Sequence, residues 1–477
     1  MYIHTCIGKY CQMDELSAHL IEEDQRASLP THPEVKRIQL AIENVLKTIL
    51  GCIADKDKRL KGKLLPVGSY YTDLKIGFPD EFDFLYELES LVEGKNFEIR
   101  PSGFKDIKNL WRTPNGNPLK KKVQIKTPEK FSNKDNENSS SNWLHKINGG
   151  FVLSPVGVKN TLYDAVFHEA HHLDNSMLPR YLSLDRTEEA TFVYGPATTL
   201  FFIWNGRFYK NLKVSVDLTV CIKAENCDEY FDFLRPNYMD QSSCLRKILE
   251  EEMCCYGCHL VPHISDHGHI QWKLSTSYLE TRVLSRFPKK SVLKQVIRIV
   301  KFDKEKFLKV RPDLGIMNDK ILADFLQLAN FYSGNDYDEN FKNLVSSYVI
   351  KNVVFHLCGF ATCREWNKAS LSTLYLLTLT TLYGGFKRHS IRNFFISQHN
   401  LTIPDHGDIL PGFQKLFGEV KIESYQKRFQ QLDIKDFDLN KFESQPFEPS
   451  GLKTFFKITK DDIDTNYHIL WESKFLI

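Results

Sequence analysis

Little in this chain of 477 residues advertises a partner. Charge of one sign is lacking: 63 Lys and Arg nearly balance 60 Asp and Glu, leaving a formal charge of +3. Such a chain has no global field to gather a polyanion, so nucleic acid would have to be held by a local basic patch. A long apolar run is lacking too. The longest, near residues 371–382, is short and interrupted by Thr, and reads as a core helix and not as a membrane span. The opening residues, Met1-Tyr2-Ile3-His4-Thr5-Cys6, lack the basic-then-apolar pattern of a secretion signal. The eleven cysteines are therefore expected as reduced thiols in a cytoplasmic protein, with a nuclear fraction allowed. No internal repeat is present.

What is there suits a large globular enzyme. With 42% hydrophobic residues, including 34 Phe and 20 Tyr, the chain can bury a sizeable core. From Pro33, Val35, Ile38, Ile42, Val45, Leu46 and Ile49 recur at helical spacing, predicting one long amphipathic helix with Pro in its first turn. Strands are expected at residues 64–67, 82–88, 191–194, 198–203 and 214–222, and helices from about residue 292 through 300, 344–358 and 371–383. Residues 112–148, rich in Asn, Lys, Pro and Ser, read mostly as loop, with Lys120, Lys121, Lys122 and Lys126 keeping it soluble. The order gives a lead-in at 1–32, a sheet-bearing core at 33–290, a helical part at 291–430 and an appendix at 431–477. A mixed sheet followed by helices is an α+β arrangement.

The chemistry concentrates in residues 68–83. Gly68-Ser69 makes a small-residue turn, and Glu81-Phe82-Asp83 ends the stretch with two carboxylates at i, i+2. In a strand such residues point to one face, so Glu81 and Asp83 converge. Two convergent carboxylates beside a phosphate-binding turn suit Mg²⁺ on a nucleoside triphosphate. A bare carboxylate pair is more often an acidic strand end, but its surroundings favour the metal reading.

Those surroundings resemble the Mab-21 family and, within it, the cyclic GMP-AMP synthase-like receptors. Gly68-Ser69, then Lys75-Ile76 and Pro79-x-Glu81-Phe82-Asp83, match the family signature. Gly195-Pro196-Ala197-Thr198-Thr199-Leu200 resembles its central strand opening, and Val214-Ser215-Val216-Asp217-Leu218-Thr219 the strand with its third carboxylate. His259-Leu260-Val261-Pro262, Trp272-Lys273-Leu274-Ser275-Thr276-Ser277 and Ser346-Ser347-Tyr348-x-x-Lys351 follow in family order. The resemblance implies a two-lobed nucleotidyltransferase fold, an N-terminal mixed sheet with a long spine helix and a C-terminal helical lobe. It also implies synthesis of a cyclic dinucleotide from ATP, GTP or other nucleoside triphosphates, using two Mg²⁺ or Mn²⁺ ions.

On this resemblance Glu81, Asp83 and Asp217 are the catalytic and metal-holding set, and Gly68 and Ser69 clamp the triphosphate. Tyr348 would stack on a base, and Ser347 and Lys294 would touch donor phosphates. Lys273, Ser275 and Ser277 would meet the acceptor. The well-studied vertebrate enzyme has Arg at the position of Lys273, exchanging a planar fork for a point donor and leaving base choice open. The vertebrate zinc thumb has no counterpart, because residues 286–291 hold no Cys or His, and no structural zinc is expected. Lys36, Arg37 and Lys47 on the spine helix, with Lys289 and Lys290 at the thumb position, would grip double-stranded RNA or DNA through phosphates as the activator. A ligand-dependent dimer is compatible with this picture; a membrane partner is not expected. The rival readings are a non-catalytic Mab-21 scaffold and an untemplated nucleotidyltransferase with linear products.

Two further patterns compete for notice. His168-Glu169-Ala170-His171-His172 fits the H-E-x-x-H metalloprotease spacing, but reads as a solvated helix face. Cys254, Cys255, Cys258 and His259, with His263, His267 and His269, have zinc-like spacing, but Cys258 to Pro262 reads as a buried strand.

Overall fold

The computed structural model describes residues 17–101, 120–131, 142–147, 150–173, 178–185, 195–225, 243–263, 271–309 and 345–360, with single positions between 371 and 401. The chain forms two compact units. One comprises Leu29–Tyr230 and Glu251–Arg286, and the other Met1–Ser28, Phe231–Glu250 and Phe287–Ile477. Among the described residues no helix is long and apolar enough to cross a membrane.

Residues 17–27 form helix α1. In the first-named unit, helix α2 (Pro33–Lys56) starts where His32 Nδ1 accepts the Glu34 N–H at 3.2 Å. Pro33 suits the first turn because the N–H it lacks would have had no partner there. Ile38, Ile42, Val45, Leu46, Ile49 and Ile53 bury the predicted stripe. A buried carboxylate pins this helix start: Glu34 accepts from Trp204 Nε1 and the Tyr209 backbone N–H at 2.9 Å, and from the Phe208 N–H at 3.0 Å. Burial opposes ionisation of Glu34, but these donors and Arg37 outweigh it and hold its pKa down to about 2.

Strand β1 (Gly62–Val67) leads into a single helical turn, α3 (Gly68–Tyr71), and then β2 (Glu81–Leu88), β3 (Phe97–Pro101) and β4 (Lys120–Ile125). After β5 (Leu144–Ile147), β6 (Gly150–Leu153) and helix α4 (Pro155–His172) come β7 (Leu182–Leu184), β8 (Ala197–Trp204) and β9 (Leu212–Ala224). Helix α5 (Cys244–Tyr256), β10 (Cys258–Pro262), β11 (Trp272–Ser275) and α6 (Ser277–Ser285) follow. The strands join in one sheet of 11, in the order β1-β2-β9-β10-β11-β4-β6-β5, with β3 beside β4 and β7 beside β8. β2 and β9 run parallel, and β8 and β10 flank β9 antiparallel, so the sheet is mixed and the architecture α+β.

The central pair explains its own burial. On β2, Phe82, Phe84, Tyr86 and Leu88 turn to one face and are all but fully buried. On that side the Tyr70 and Tyr71 rings meet Phe82 and Phe84 with centroids 4.5 and 5.5 Å apart. Glu81, Asp83, Leu85 and Glu87 take the opposite face by strand alternation. There Leu85 joins Leu65, Val67, Cys221 and Val261 in a buried cluster.

One expectation is corrected here. Lys120-Lys121-Lys122 is not loop but the start of β4, paired with β3 and β11, and Lys121 is buried. Its continuation, Val123-Gln124-Ile125, alternates with Val123 and Ile125 inward, and this short pattern outweighed the Lys and Asn composition around it. Residues 191–194 and 431–477 lie outside the described residues.

The other unit contains helix α7 (Val292–Lys309) and helix α8 (Ser347–Phe360), both where the apolar spacing predicts helix. Arg298, almost wholly buried, donates to both Asp24 oxygens at 2.6 and 2.8 Å, tying α7 to α1.

Candidate metal centre

The parallel register sets Glu81 opposite Ser215 and Asp83 opposite Asp217, all on one face of the sheet. Glu81, Asp83 and Asp217 each bring a carboxylate oxygen within 4.8 Å of the others, the only such cluster of three His, Cys, Asp or Glu groups among the described residues. The local cause is simple. β2 begins at Glu81 just beyond the Pro79-Asp80 corner, and the Asp80 carbonyl accepts the Ser215 N–H at 2.8 Å, locking the ends of the two strands together.

Gly68 sits at φ +82, and a Cβ there would overlap Asp83 Oδ2. Only glycine allows both that backbone and this approach of the turn to the carboxylate. The preceding residue, Val67, is in register with Asp83. The Gly-Ser turn is therefore packed directly on the metal-type cluster.

Glu81 and Asp217 have different partners. Glu81, with its side chain 46% exposed, accepts from Lys75 Nζ at 2.7 Å, and Lys75 also reaches Asp80 at 2.9 Å. Burial would push Lys75 down, but Glu81 and Asp80 outweigh it and raise its pKa. Asp217 accepts from Thr199 Oγ1 at 2.6 Å. Burial above all, and then the charge of Glu81, push its pKa up against that hydrogen bond. A carboxyl driven toward protonation by burial and a like charge is what a bound cation would relieve. Three hard oxygen donors suit Mg²⁺ or Mn²⁺ and not a thiolate- or imidazole-seeking ion. The residues present fit such an ion.

The turn is also tied to α2. Tyr71 donates to Glu43 Oε1 at 3.0 Å, and Tyr70 to the Val35 carbonyl at 3.3 Å. Burial first, then Glu43, push the Tyr70 hydroxyl up to about 12 and Tyr71 well above its ordinary value, so both stay protonated donors. Thr199, Lys75, Tyr70 and Tyr71 were not assigned roles from sequence. Thr199 and Lys75 stand inside the blocks already quoted, but only the β8–β9 register and the fold of residues 72–80 reveal what they touch.

The remaining expected residues divide between the units. Lys273 is paired with Val261, and Ser275 with His259, which places both on the sheet face of the acidic cluster, two strands beyond β9. Ser275 Oγ donates to Ser277 Oγ at 3.2 Å. Lys36, Arg37 and Lys47 are exposed on α2. Lys289, Lys290, Lys294, Ser347 and Tyr348 belong to the other unit. There Lys289 and Lys290 are exposed, whereas Lys294 is 1% exposed within α7. Tyr348 is partly buried, its hydroxyl accepts from Asn393 Nδ2 at 2.7 Å, and Lys351 Nζ stands 5.5 Å from its ring centre.

Among the described residues the zinc-like Cys/His pattern does not gather three ligands. Cys254 and Cys255 are exposed on α5, Cys258 is buried in β10, and His259 Nε2 lies 2.8 Å from Glu87 Oε2. His267 and His269 lie outside the described residues.

An acidic triad on adjoining strands of a mixed sheet, beside a Gly-Ser turn that touches it, has the form of a nucleotidyltransferase site. Residues 320–406 match the family model of the Mab-21 protein HhH/H2TH-like domain. Over that stretch the chain is similar to the C-terminal domain of the Mab-21 proteins, which is consistent with the resemblance of its N-terminal blocks to the same family. Helix α8 is the longest described part of the matched stretch.

Proposed function

We propose that this protein joins two nucleoside triphosphates into a cyclic dinucleotide, releasing pyrophosphate from each, and that double-stranded nucleic acid switches it on. The observation that carries the reading is the convergence of Glu81, Asp83 and Asp217 against Gly68. A non-catalytic scaffold gains nothing from three carboxylates packed together at an energetic cost, which argues for an enzyme.

Glu81, Asp83 and Asp217 would hold the divalent ions. When bound, such ions neutralise charge on the attacking and leaving oxygens of an in-line displacement and favour an ionised ribose hydroxyl. The chain's own groups do the rest. The Gly68-Ser69 turn lets backbone approach the triphosphate, with the Ser69 hydroxyl beside it. Asp217, whose pKa burial raises, is suited to accept the proton of the attacking hydroxyl, and Thr199 keeps its Oδ1 oriented. Lys75 balances Glu81 while the site is empty of nucleotide. Lys273 and Ser275 would meet the acceptor, and Tyr348 would offer a stacking face to a base, with Ser347 beside it.

Exposed Lys36, Arg37 and Lys47 would take the phosphates of a duplex without reading its sequence. The hydrogen bonds of Tyr70 and Tyr71 to α2 support a coupling of that helix to the Gly-Ser turn, so a duplex would favour one arrangement of the turn.

The test is to incubate purified protein with the four nucleoside triphosphates, Mg²⁺ or Mn²⁺, and double-stranded RNA or DNA. A phosphatase-resistant dinucleotide that disappears in the Glu81→Ala/Asp83→Ala variant is expected. A linear product would select the untemplated transferase instead. No product and no nucleotide binding under any ligand would select the scaffold.

A further inference from the structure

The last turns of α4 carry three histidines that the acidic triad does not use. His168, His171 and His172 are exposed, and each has Nδ1 within hydrogen-bond reach of an acceptor. The acceptors are Glu169 Oε1 at 3.0 Å, the Phe167 carbonyl at 3.0 Å and the His168 carbonyl at 2.7 Å. An acceptor at Nδ1 places the proton of the neutral ring there and leaves Nε2 with the lone pair. Metal-bound histidines are arranged this way, with the second ring nitrogen donating to a carboxylate or a carbonyl.

Spacing selects two of the three. His168 and His172 are one helical turn apart, and their rings stack with centroids 4.2 Å apart and planes 22° from parallel. Two imidazole nitrogens on one tetrahedral ion, each about 2.1 Å from it, lie roughly 3.4 Å apart. To bring both Nε2 lone pairs onto one ion, the two rings must turn out of their stack, which their exposure at the end of α4 permits. His171 packs instead on Phe167, with ring centres 4.0 Å apart.

The charge there also favours a cation. The final carbonyls of α4 form the negative end of the helix dipole. Beside it Glu169 is held below its usual pKa by hydrogen bonds from Lys56 and then His168, and Lys56 balances its charge, so the helix end is the source of the favourable field. Glu169 is occupied by Lys56 and His168, so it is not placed to act as the base of a metalloprotease.

We propose that His168 and His172 form a two-imidazole chelate for a borderline divalent transition ion (Zn²⁺, Ni²⁺ or Cu²⁺). This site differs in kind from the acidic triad: imidazole nitrogen favours these ions, whereas the carboxylates of β2 and β9 favour Mg²⁺ and Mn²⁺. No third His, Cys or carboxylate joins the pair among the described residues, so the remaining coordination positions are open to water or to an incoming ligand.

The full-length protein, without an affinity tag, is titrated calorimetrically with Ni²⁺. His168→Ala and His172→Ala should each weaken one site by about tenfold or more, and the double variant should lose no more than either single one, as a chelate requires. Glu169→Ala should weaken it less, through the loss of the Nδ1 acceptor. All three side chains lie at the surface or beside it, and circular dichroism checks that each variant is folded. As an independent measurement on the unaltered protein, Ni²⁺ should shield His168 and His172 from histidine-selective acylation while leaving exposed His145 reactive. Undiminished Ni²⁺ affinity in the double variant, or equal acylation of His168, His172 and His145 with Ni²⁺ present, would overturn the proposal.

Discussion

Strand β2 carries carboxylates at both ends of one face, and the fold treats them in opposite ways. At its start, Glu81 and Asp83 are brought against a third acid, Asp217. At its far end, about 20 Å on by strand rise, Glu87 lies 2.8 Å from a buried imidazole, His259. The hydrogen bond from His259 is the main reason Glu87 stays below its usual pKa, whereas burial and Glu81 push Asp217 above its own. Between them lies the apolar cluster of Leu65, Val67, Leu85, Cys221 and Val261. On the proposed function, the difference separates a structural acid from a functional one. Glu87 has its hydrogen-bond partner built into the chain, while the triad gathers like charge at a place where a diffusible cation would complete it.

The contrast can be broken most severely at the triad. Asp83→Ala should lower nucleotidyl transfer by roughly a thousandfold or more while leaving stability equal or higher, since several kcal/mol of charge stabilisation in the transition state are removed and a repulsion is relieved. Steady-state turnover beside a thermal melt checks both halves. At the other end the expected order reverses: His259→Ala should cost about 3 kcal/mol of stability, because it leaves Glu87 without its buried partner, and should leave turnover per folded molecule nearly unchanged. Urea unfolding measures this. If His259→Ala abolished transfer with stability intact, the division of roles would be wrong.

The pH dependence sharpens the same comparison. Asp217 has a raised folded-state pKa, so its contribution to stability is present below the ordinary carboxylate range and is lost as pH rises through the raised value. Mg²⁺ requires the ionised form, so stabilisation by Mg²⁺ should grow as pH rises through that window. Melting temperatures with and without Mg²⁺ across that range show the sign. Glu87 has a lowered pKa, so its contribution is present above the ordinary carboxylate value and is lost as pH falls through the lowered one, with no response to Mg²⁺. The smallest effect is expected from Thr199→Val, which removes the hydrogen bond on Asp217. It should shift the acid limb of the activity profile upward and weaken metal affinity by roughly tenfold, without changing the fold.

How far the sequence carried these distinctions depends on the length of the pattern read. The helical stripe from Pro33 and the alternation of β2 and β9 are periodic over many residues and were legible, as was the carboxylate pair at i, i+2. The β4 strand was not, because its start is three lysines and only Val123 and Ile125 show the alternation. Pairings across the sheet were the other gap. Nothing local to Glu87 reveals its partner, because His259 is 172 residues away. Thr199 beside Asp217 and Gly68 against Asp83 likewise become visible only once strand register is known.

The central claim is that the start of β2, and not its far end, holds divalent ions. Mn²⁺ binding, followed by electron paramagnetic resonance in the presence of a non-hydrolysable nucleoside triphosphate analogue, tests it directly. Glu81→Gln should abolish the protein-dependent loss of free Mn²⁺ signal, and Glu87→Gln should leave it as in the unaltered protein. Equal Mn²⁺ binding by the unaltered protein and Glu81→Gln would contradict the account.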